Sequence, residues 1–469
     1  MGKGSALKST TPSPLLAGTP LHARDGDGTL VSLPFRRVAA DGSSTLLGML
    51  NFRFNLDLPP AHPPGDASLI IGQLMALISG DPLRVQAPVS PSLLARSPRF
   101  LEIHQSFHPD ETIIPVEATA APEPALDSAR GVGVFLSNGV DSWHAILESR
   151  PEITHYIFIL GFDIWLKHHD YAARATALAR ATAERLGRPL IIVETNFFDF
   201  AHHYITWPRG SQPMQAAITS LLSPLLRKVI IAADFPWSQL HAGAEHPHFY
   251  KHLSADHCPQ VSIGAASTRQ AKLEGLCAQP EWLPYLRVCW DMTSDLLNCG
   301  RCEKCLRTMT GLFIAGAAEH CPVLPPLDPA LLDGLNYSSK SNPFYENLLA
   351  AAEARPHLPA NFTSSLRRCV ERNQLNALVE ELQPFRRRLA SASAYRIQEK
   401  NLRDRLFDLL AATDLTWVLK KLRRHSRSYR QDVAKTLRKI DKPLLRRTQR
   451  QACWQKFLTL FRRGSKPSP

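Results

Sequence analysis

No cysteine precedes Cys258 in this chain of 469 residues, so nothing in its first half can be held by a disulfide. Long apolar runs are missing as well. The most apolar stretch, Ile218 to Phe235, is interrupted by Pro224, Arg227, Lys228 and Asp234, which argues against a membrane span. The N-terminal Met1-Gly2-Lys3-Gly4-Ser5 leads into a Ser, Thr and Pro-rich stretch with no apolar core, so it does not read as a signal peptide. Ala6 stands where a myristoylation signal wants Ser or Thr. The expected compartment is therefore the cytoplasm. There is no Gly-Lys-Ser or Gly-Lys-Thr signature of a Walker loop, and no internal repeat.

Acidic residues are scarce at one end only. From Lys420 to Lys466 there are 17 Lys and Arg against Asp432 and Asp441, a local charge of +15 that leaves −2 for the rest of a chain whose total is +13. Tyr429, Trp454, Phe457 and Phe461 are interleaved with these cations. Such a tail suits an anionic partner, either nucleic acid or an acidic membrane surface. A solvated helical appendage is the alternative reading.

The length implies two or three domains. Residues 1 to 125 read as a small N-terminal α+β domain, with short strands at Leu30 to Leu33 and Leu46 to Leu50, and a helix from Ala67 to Ser79 stopped by Gly80. Ala120 to Ala129 reads as a linker. From residue 131 apolar strands alternate with helices: strand Gly131 to Leu136, helix Trp143 to Ser149, strand Ile153 to Leu160, helix Asp170 to Leu186 ended by Gly187, strand Leu190 to Val193, helix Met214 to Leu222, strand Val229 to Ala232. That alternation predicts an α/β domain over 130–325, a parallel sheet with helices on both faces. Residues 330–469 form a helical region, with helices expected at Phe344 to Ala354, Gln374 to Gln383 and Arg403 to Ala412, followed by the basic tail.

Three groups of residues carry chemistry. Ser137-Asn138-Gly139-Val140-Asp141-Ser142 joins the strand at Gly131 to the helix at Trp143, a junction that aims backbone N–H groups and a helix dipole at one point and so suits a phosphate. Gly139 and Asn138 tolerate a positive φ, Ser137 and Ser142 offer hydroxyls, and Asp141 could hold Mg²⁺. Equally, Ser142 or Asp141 could simply cap the helix. Cys289, Cys299, Cys302 and Cys305 have the spacing of a closed Cys₄ Zn²⁺ site, with a four-cysteine iron–sulfur cluster as the chemical rival. Thr268-Arg269-Gln270-Ala271-Lys272 opens a helix after the strand Val261 to Ile263 and places Arg269 and Lys272 on one side, facing phosphate, developing negative charge or solvent. His241, His246, His248, His252 and His257 fall in an expected loop and raise the prospect of a second metal site.

Ser137 to Ser142 resembles the Ser-Gly-Gly-x-Asp-Ser loop of the PP-loop ATP pyrophosphatase superfamily, with Asn138 in place of a glycine. The cysteine spacing resembles the zinc site of one member, 7-cyano-7-deazaguanine synthase, and follows the loop in the same order. Asn298 to Thr308 is also similar to a group of bacterial PP-loop proteins. The resemblance covers roughly residues 130 to 320. It implies a HUP-like nucleotide-binding domain that uses ATP and Mg²⁺, with Ser137, Asn138, Gly139, Val140, Asp141 and Ser142 holding pyrophosphate, Asp141 helping to place Mg²⁺, and a Zn²⁺ centre bracing the substrate side; Asp141, Arg269 and Lys272 are the expected catalytic residues. The implied reaction is adenylation of a carboxylate or amide oxygen, with release of pyrophosphate and attack by a nitrogen nucleophile. Sulfur transfer to a tRNA base is the rival within the superfamily. The rival outside it is a non-catalytic nucleotide-binding or partner-docking protein, in which Asn138 crowds the pyrophosphate site. The substrate class stays open among small molecules, peptides and nucleic acids.

Overall fold

Both faces of the strand at Gly131 are covered by packed side chains, and the rest of the fold follows from that. The computed structural model describes residues 13–394, apart from Leu126, Thr206, Ala244 and Glu245. The helix expected at Arg403 to Ala412 and the basic tail lie outside the described residues. The strands are β1 (Leu15–Ala17), β2 (Leu21–Asp25), β3 (Gly28–Val38), β4 (Ser44–Phe54), β5 (Leu83–Val85), β6 (Val116–Glu117), β7 (Gly131–Phe135), β8 (His155–Leu160), β9 (Leu190–Thr195), β10 (Leu226–Ala232) and β11 (Gln260–Ile263). The helices are α1 (Asp66–Ser79), α2 (Pro91–Phe107), α3 (Val140–Ser149), α4 (His169–Leu186), α5 (Phe197–Tyr204), α6 (Trp207–Leu221), α7 (Pro247–His252), α8 (Arg269–Cys277), α9 (Glu303–Ala315), α10 (Ala330–Gly334), α11 (Asn342–Glu353) and α12 (Ala360–Ala394).

These strands form one mixed sheet in the order β11-β10-β7-β8-β9-β4-β3-β1-β5-β6, with β2 also on β3. The five strands β7 to β11 are mutually parallel. Their order reverses direction between β7 and β10, the switch point at which doubly wound sheets open a crevice beyond their carboxyl ends. Along β8, Ile157 and Ile159 enter one core while Tyr156, Phe158 and Leu160 enter the other. Val229 and Ile231 of β10 take the first face and Ile230 the second, so helices cover both sides as the apolar runs require.

The N-terminal strands extend this sheet. Phe52, Arg53 and Phe54 of β4 pair antiparallel with Thr195, Glu194 and Val193 of β9, so the segment before residue 125 and the segment after residue 130 share one sheet. The chain divides into two compact units, Met1–Gln374 and Leu375–Pro469, and the site residues below all belong to the first. Two local expectations shift. Helix α6 begins at Trp207 rather than Met214, because Pro213 is accommodated inside it. The expected loop from His241 to His257 contains α7, with Pro247 in its first turn and the His246 side chain accepting the N–H of His248.

Among the described residues no helix is long and apolar enough to cross a membrane. Helix α4 ends as expected at Gly187, which takes φ 71° and has open space where a Cβ would sit. Gly187→Ala should therefore cost about 1 kcal/mol, all of it from backbone conformation, and Gly187→Asn less. Urea unfolding of the full chain measures both.

Candidate functional site

The loop after β7 is held by its own polar groups. Asn138 has φ 59°, the one non-glycine residue with positive φ among those described. Its side chain is buried and donates through Nδ2 to Thr182 Oγ1 at 2.8 Å and to the Tyr285 carbonyl at 3.0 Å. The amide group is therefore directed into the protein and not into the mouth of the loop. Ser142 Oγ donates to the Phe135 carbonyl at 2.9 Å and accepts the Ser137 N–H at 3.1 Å, so this hydroxyl closes the loop and has no proton left for a phosphate. Ser137 is exposed, and its Oγ accepts the N–H of Gly139 at 3.2 Å. Gly139 is the N-cap of α3 and no side chain caps this helix, which removes the capping role for Ser142 or Asp141. Helix α3 starts directly beyond the end of β7, beside the switch point between β7 and β10.

Asp141, Arg269 and Lys272 converge. Asp141 Oδ2 is paired with Arg269 Nη1, and Oδ1 accepts from Lys272 Nζ at 3.1 Å. Thr268 caps α8 by accepting the Ala271 N–H, which fixes both cations on the helix's first turn. Lys272 is wholly buried and also donates to the carbonyl of Ala233, just beyond β10, so the cluster straddles the switch point. Burial works to raise the Asp141 carboxyl, but the Arg269 and Lys272 charges outweigh it and hold it below the usual carboxylate range.

The four cysteines also converge. Their sulfurs all lie within 4.8 Å of one another, with Cys289 and Cys302 3.6 Å apart and Cys299 and Cys305 4.0 Å apart. Four sulfurs at about 2.3 Å around a tetrahedral Zn²⁺ stand about 3.8 Å apart, so the residues fit that ion. Backbone N–H groups of Asp291 and Cys302 donate to Cys289 and Cys299 at 3.2 and 3.3 Å, as suits thiolates. Cys302 is the N-cap of α9 and adds that helix's positive end. The contact with Cys302 pushes the Cys289 thiol up to about 12, while the thiol contacts lower Cys302 and raise Cys305, the pattern of crowded thiols sharing protons. Gly300, at φ 71°, allows the turn to pass Pro325, whose Cγ would lie 2.4 Å from a Cβ. Asn298 binds the two limbs together, accepting the Val288 N–H at 2.8 Å and donating to the Leu286 carbonyl at 2.8 Å and the Val323 carbonyl at 3.2 Å.

One arginine ties this centre to the loop and a second flanks the cysteines on the other side, and sequence reasoning missed both. The Arg287 N–H donates to the Asn138 carbonyl at 2.9 Å, and its Nε donates to the Ser137 carbonyl at 3.3 Å. Its guanidinium, 5% exposed, pairs with Asp163 at 3.1 Å. Arg307, on α9, lies over the Phe344 ring at 4.2 Å. Each stands two residues outside the cysteine cluster, Arg287 before Cys289 and Arg307 after Cys305. That symmetric placement was the available signal. The five histidines, by contrast, do not gather. His246 and His248 stack at 5.1 Å, His257 faces Glu123 at 3.7 Å, and the four cysteines are the one group of three or more metal-binding side chains found among the described residues.

Comparison with protein-family models, with curated proteins and with solved structures finds no match for this chain.

Asp141→Asn leaves the buried Lys272 and the partly buried Arg269 without a counter-charge and should destabilise the fold by about 3 kcal/mol. Because the folded carboxyl titrates below its ordinary 3.8, the stabilisation is complete above that value and fades as pH falls through the lower folded one. Acid unfolding of Asp141→Asn should therefore lose part of the wild-type slope below pH about 4. The Cys₄ centre should hold one Zn²⁺ per chain by elemental analysis, and Cys305→Ser should lower both the metal content and the thermal midpoint. Asn138→Ala should cost about 2–3 kcal/mol in chemical unfolding, through the left-handed backbone and the loss of two buried hydrogen bonds.

Proposed function

We propose that this protein is an ATP-dependent adenylating enzyme whose nucleotide site is the crevice between β7 and β10. The observation that carries the reading is the convergence, at a sheet's switch point, of an uncapped helix N-terminus with Arg269 and Lys272. In the proposed reaction an acceptor carboxylate oxygen attacks the α-phosphorus of ATP, and the bond from that phosphorus to the α,β-bridging oxygen breaks. Pyrophosphate leaves, and its charge is met by the first-turn amides of α3 and by the two cations. A nitrogen nucleophile such as ammonia then attacks the acyl carbon and displaces AMP, giving an amide.

Asp141 holds Arg269 and Lys272 in place before nucleotide arrives. Both of its oxygens already carry a cation, so its surroundings do not fit a resident Mg²⁺, and magnesium enters here only as part of the MgATP substrate. The inward direction of the Asn138 side chain removes the steric objection to pyrophosphate, which weakens the non-catalytic reading. The four clustered cysteines would hold Zn²⁺ as a closed structural centre that keeps Arg287 against the loop. Cys258, Cys277 and Cys321 are kept as thiols by burial, at about 12, 11 and 11, which leaves them poorly suited to carry sulfur in a tRNA-thiolating reaction.

Metal-loaded protein should bind MgATP by calorimetry and exchange labelled pyrophosphate into ATP across a panel of carboxylates, with AMP and never ADP as the nucleotide product. Arg269→Gln should lower exchange by about 100-fold or more. ADP as product, or no ATP binding by the folded protein, would sink the reading.

A further inference from the structure

Arg307 is buried with too few partners. Its side chain is 7% exposed, the nearest carboxylate, Glu303, stands 3.5 Å away, and its Nε is buried with no hydrogen-bond partner among the described residues. What positions it is an aromatic ring. The guanidinium carbon lies 4.2 Å from the centre of Phe344, which is itself stacked on Phe235 at 4.7 Å. Arg269 approaches the same ring at 5.9 Å. Two cations are thus crowded onto one ring. Around them are three cations, Arg269, Lys272 and Arg307, against two carboxylates, Asp141 and Glu303.

A buried, under-partnered charge is costly, and folding alone gives no reason to crowd a second one beside it. Stacking engages only the face of a guanidinium. Its in-plane N–H groups stay available, in the fork geometry that matches a carboxylate or phosphate.

We infer that Arg307 and Arg269, aligned on Phe344, form a subsite for a non-reacting oxyanion of the acceptor, a carboxylate or a phosphate monoester. The word acceptor rests on the adenylating reading, whereas oxyanion binding at Arg307 does not. The subsite shares Arg269 with the nucleotide site, while Arg307 lies outside the loop that binds the polyphosphate, and it restricts the acceptor to acidic molecules.

The test uses the full chain loaded with zinc and three calorimetric probes: inorganic phosphate, inorganic pyrophosphate and MgATP. Arg307→Gln should weaken phosphate about tenfold or more, as the loss of charge-assisted hydrogen bonds requires, and leave pyrophosphate and MgATP within about twofold. Arg307→Lys, which keeps the charge and loses the fork, should fall between. Glu303→Gln/Arg307→Gln removes both charges together and should behave like Arg307→Gln with a less perturbed melting midpoint, so a folding defect cannot pass for lost binding. Competition by acetate against phosphate points to a carboxylate on the acceptor; its absence points to a phosphate ester. Equal phosphate affinity in wild type and Arg307→Gln overturns the subsite, and so does parallel weakening of phosphate and pyrophosphate, which would make Arg307 part of the loop. Arg307-dependent phosphate binding in a protein that binds no ATP would sustain the subsite and defeat the adenylating reading.

Discussion

The left-handed backbone of Asn138 is the constraint on which the candidate site depends. At φ 59° a residue with a side chain is held only if something fixes it, and the buried hydrogen bonds to Thr182 and Tyr285 do so. That bend turns the chain from β7 into α3, whose N-terminus no side chain caps. It also directs the Asn138 carbonyl toward the N–H of Arg287, two residues before the first cysteine of the cluster. One backbone conformation thus ties together a helix terminus on one side and the four-cysteine cluster on the other.

Asp141 supplies the second organising contact. One carboxylate holds Arg269 and Lys272 on α8, and Lys272 reaches on to Ala233 beyond β10. A buried lysine and a partly buried arginine sharing one counter-ion are stable together but leave positive charge over. A further anion could take one of those contacts without leaving any of the three groups unpaired. The same economy explains why Arg307 is steadied by an aromatic face: a ring orients a guanidinium while leaving its in-plane donors available.

The sequence was most legible where the chemistry is local. Ser137 to Ser142 and the Cys299, Cys302 and Cys305 spacing could be read directly, because a tight turn and a metal knuckle are built from neighbouring residues. The five parallel strands were legible as well, since strands buried on both faces read as unbroken apolar runs. Asp141, Arg269 and Lys272 could each be singled out, but their meeting depends on how β7 and β10 lie side by side, which no spacing encodes. The inward direction of Asn138 was equally hidden, because its partners come from α4 and from the segment before the cysteines. Arg287 and Arg307 flank the cysteines symmetrically in the sequence, but what each side chain touches is settled only once the cysteines between them are brought together. Two N-terminal strands, β3 and β4, were found, while the junction of β4 with β9 was not, because β4 carries the ordinary alternation of a strand whose partner could lie anywhere in the chain.

That junction has a consequence for self-association. Parallel sheets of this kind usually end in an open row of unpaired amides and carbonyls, a template on which foreign strands can grow. Here β4 covers the edge of β9, and the long β3 and β4 ribbon carries the exposed border far from the crevice. The hairpin is thus a built-in chaperone for the sheet, shielding on one flank a surface that would otherwise recruit other chains.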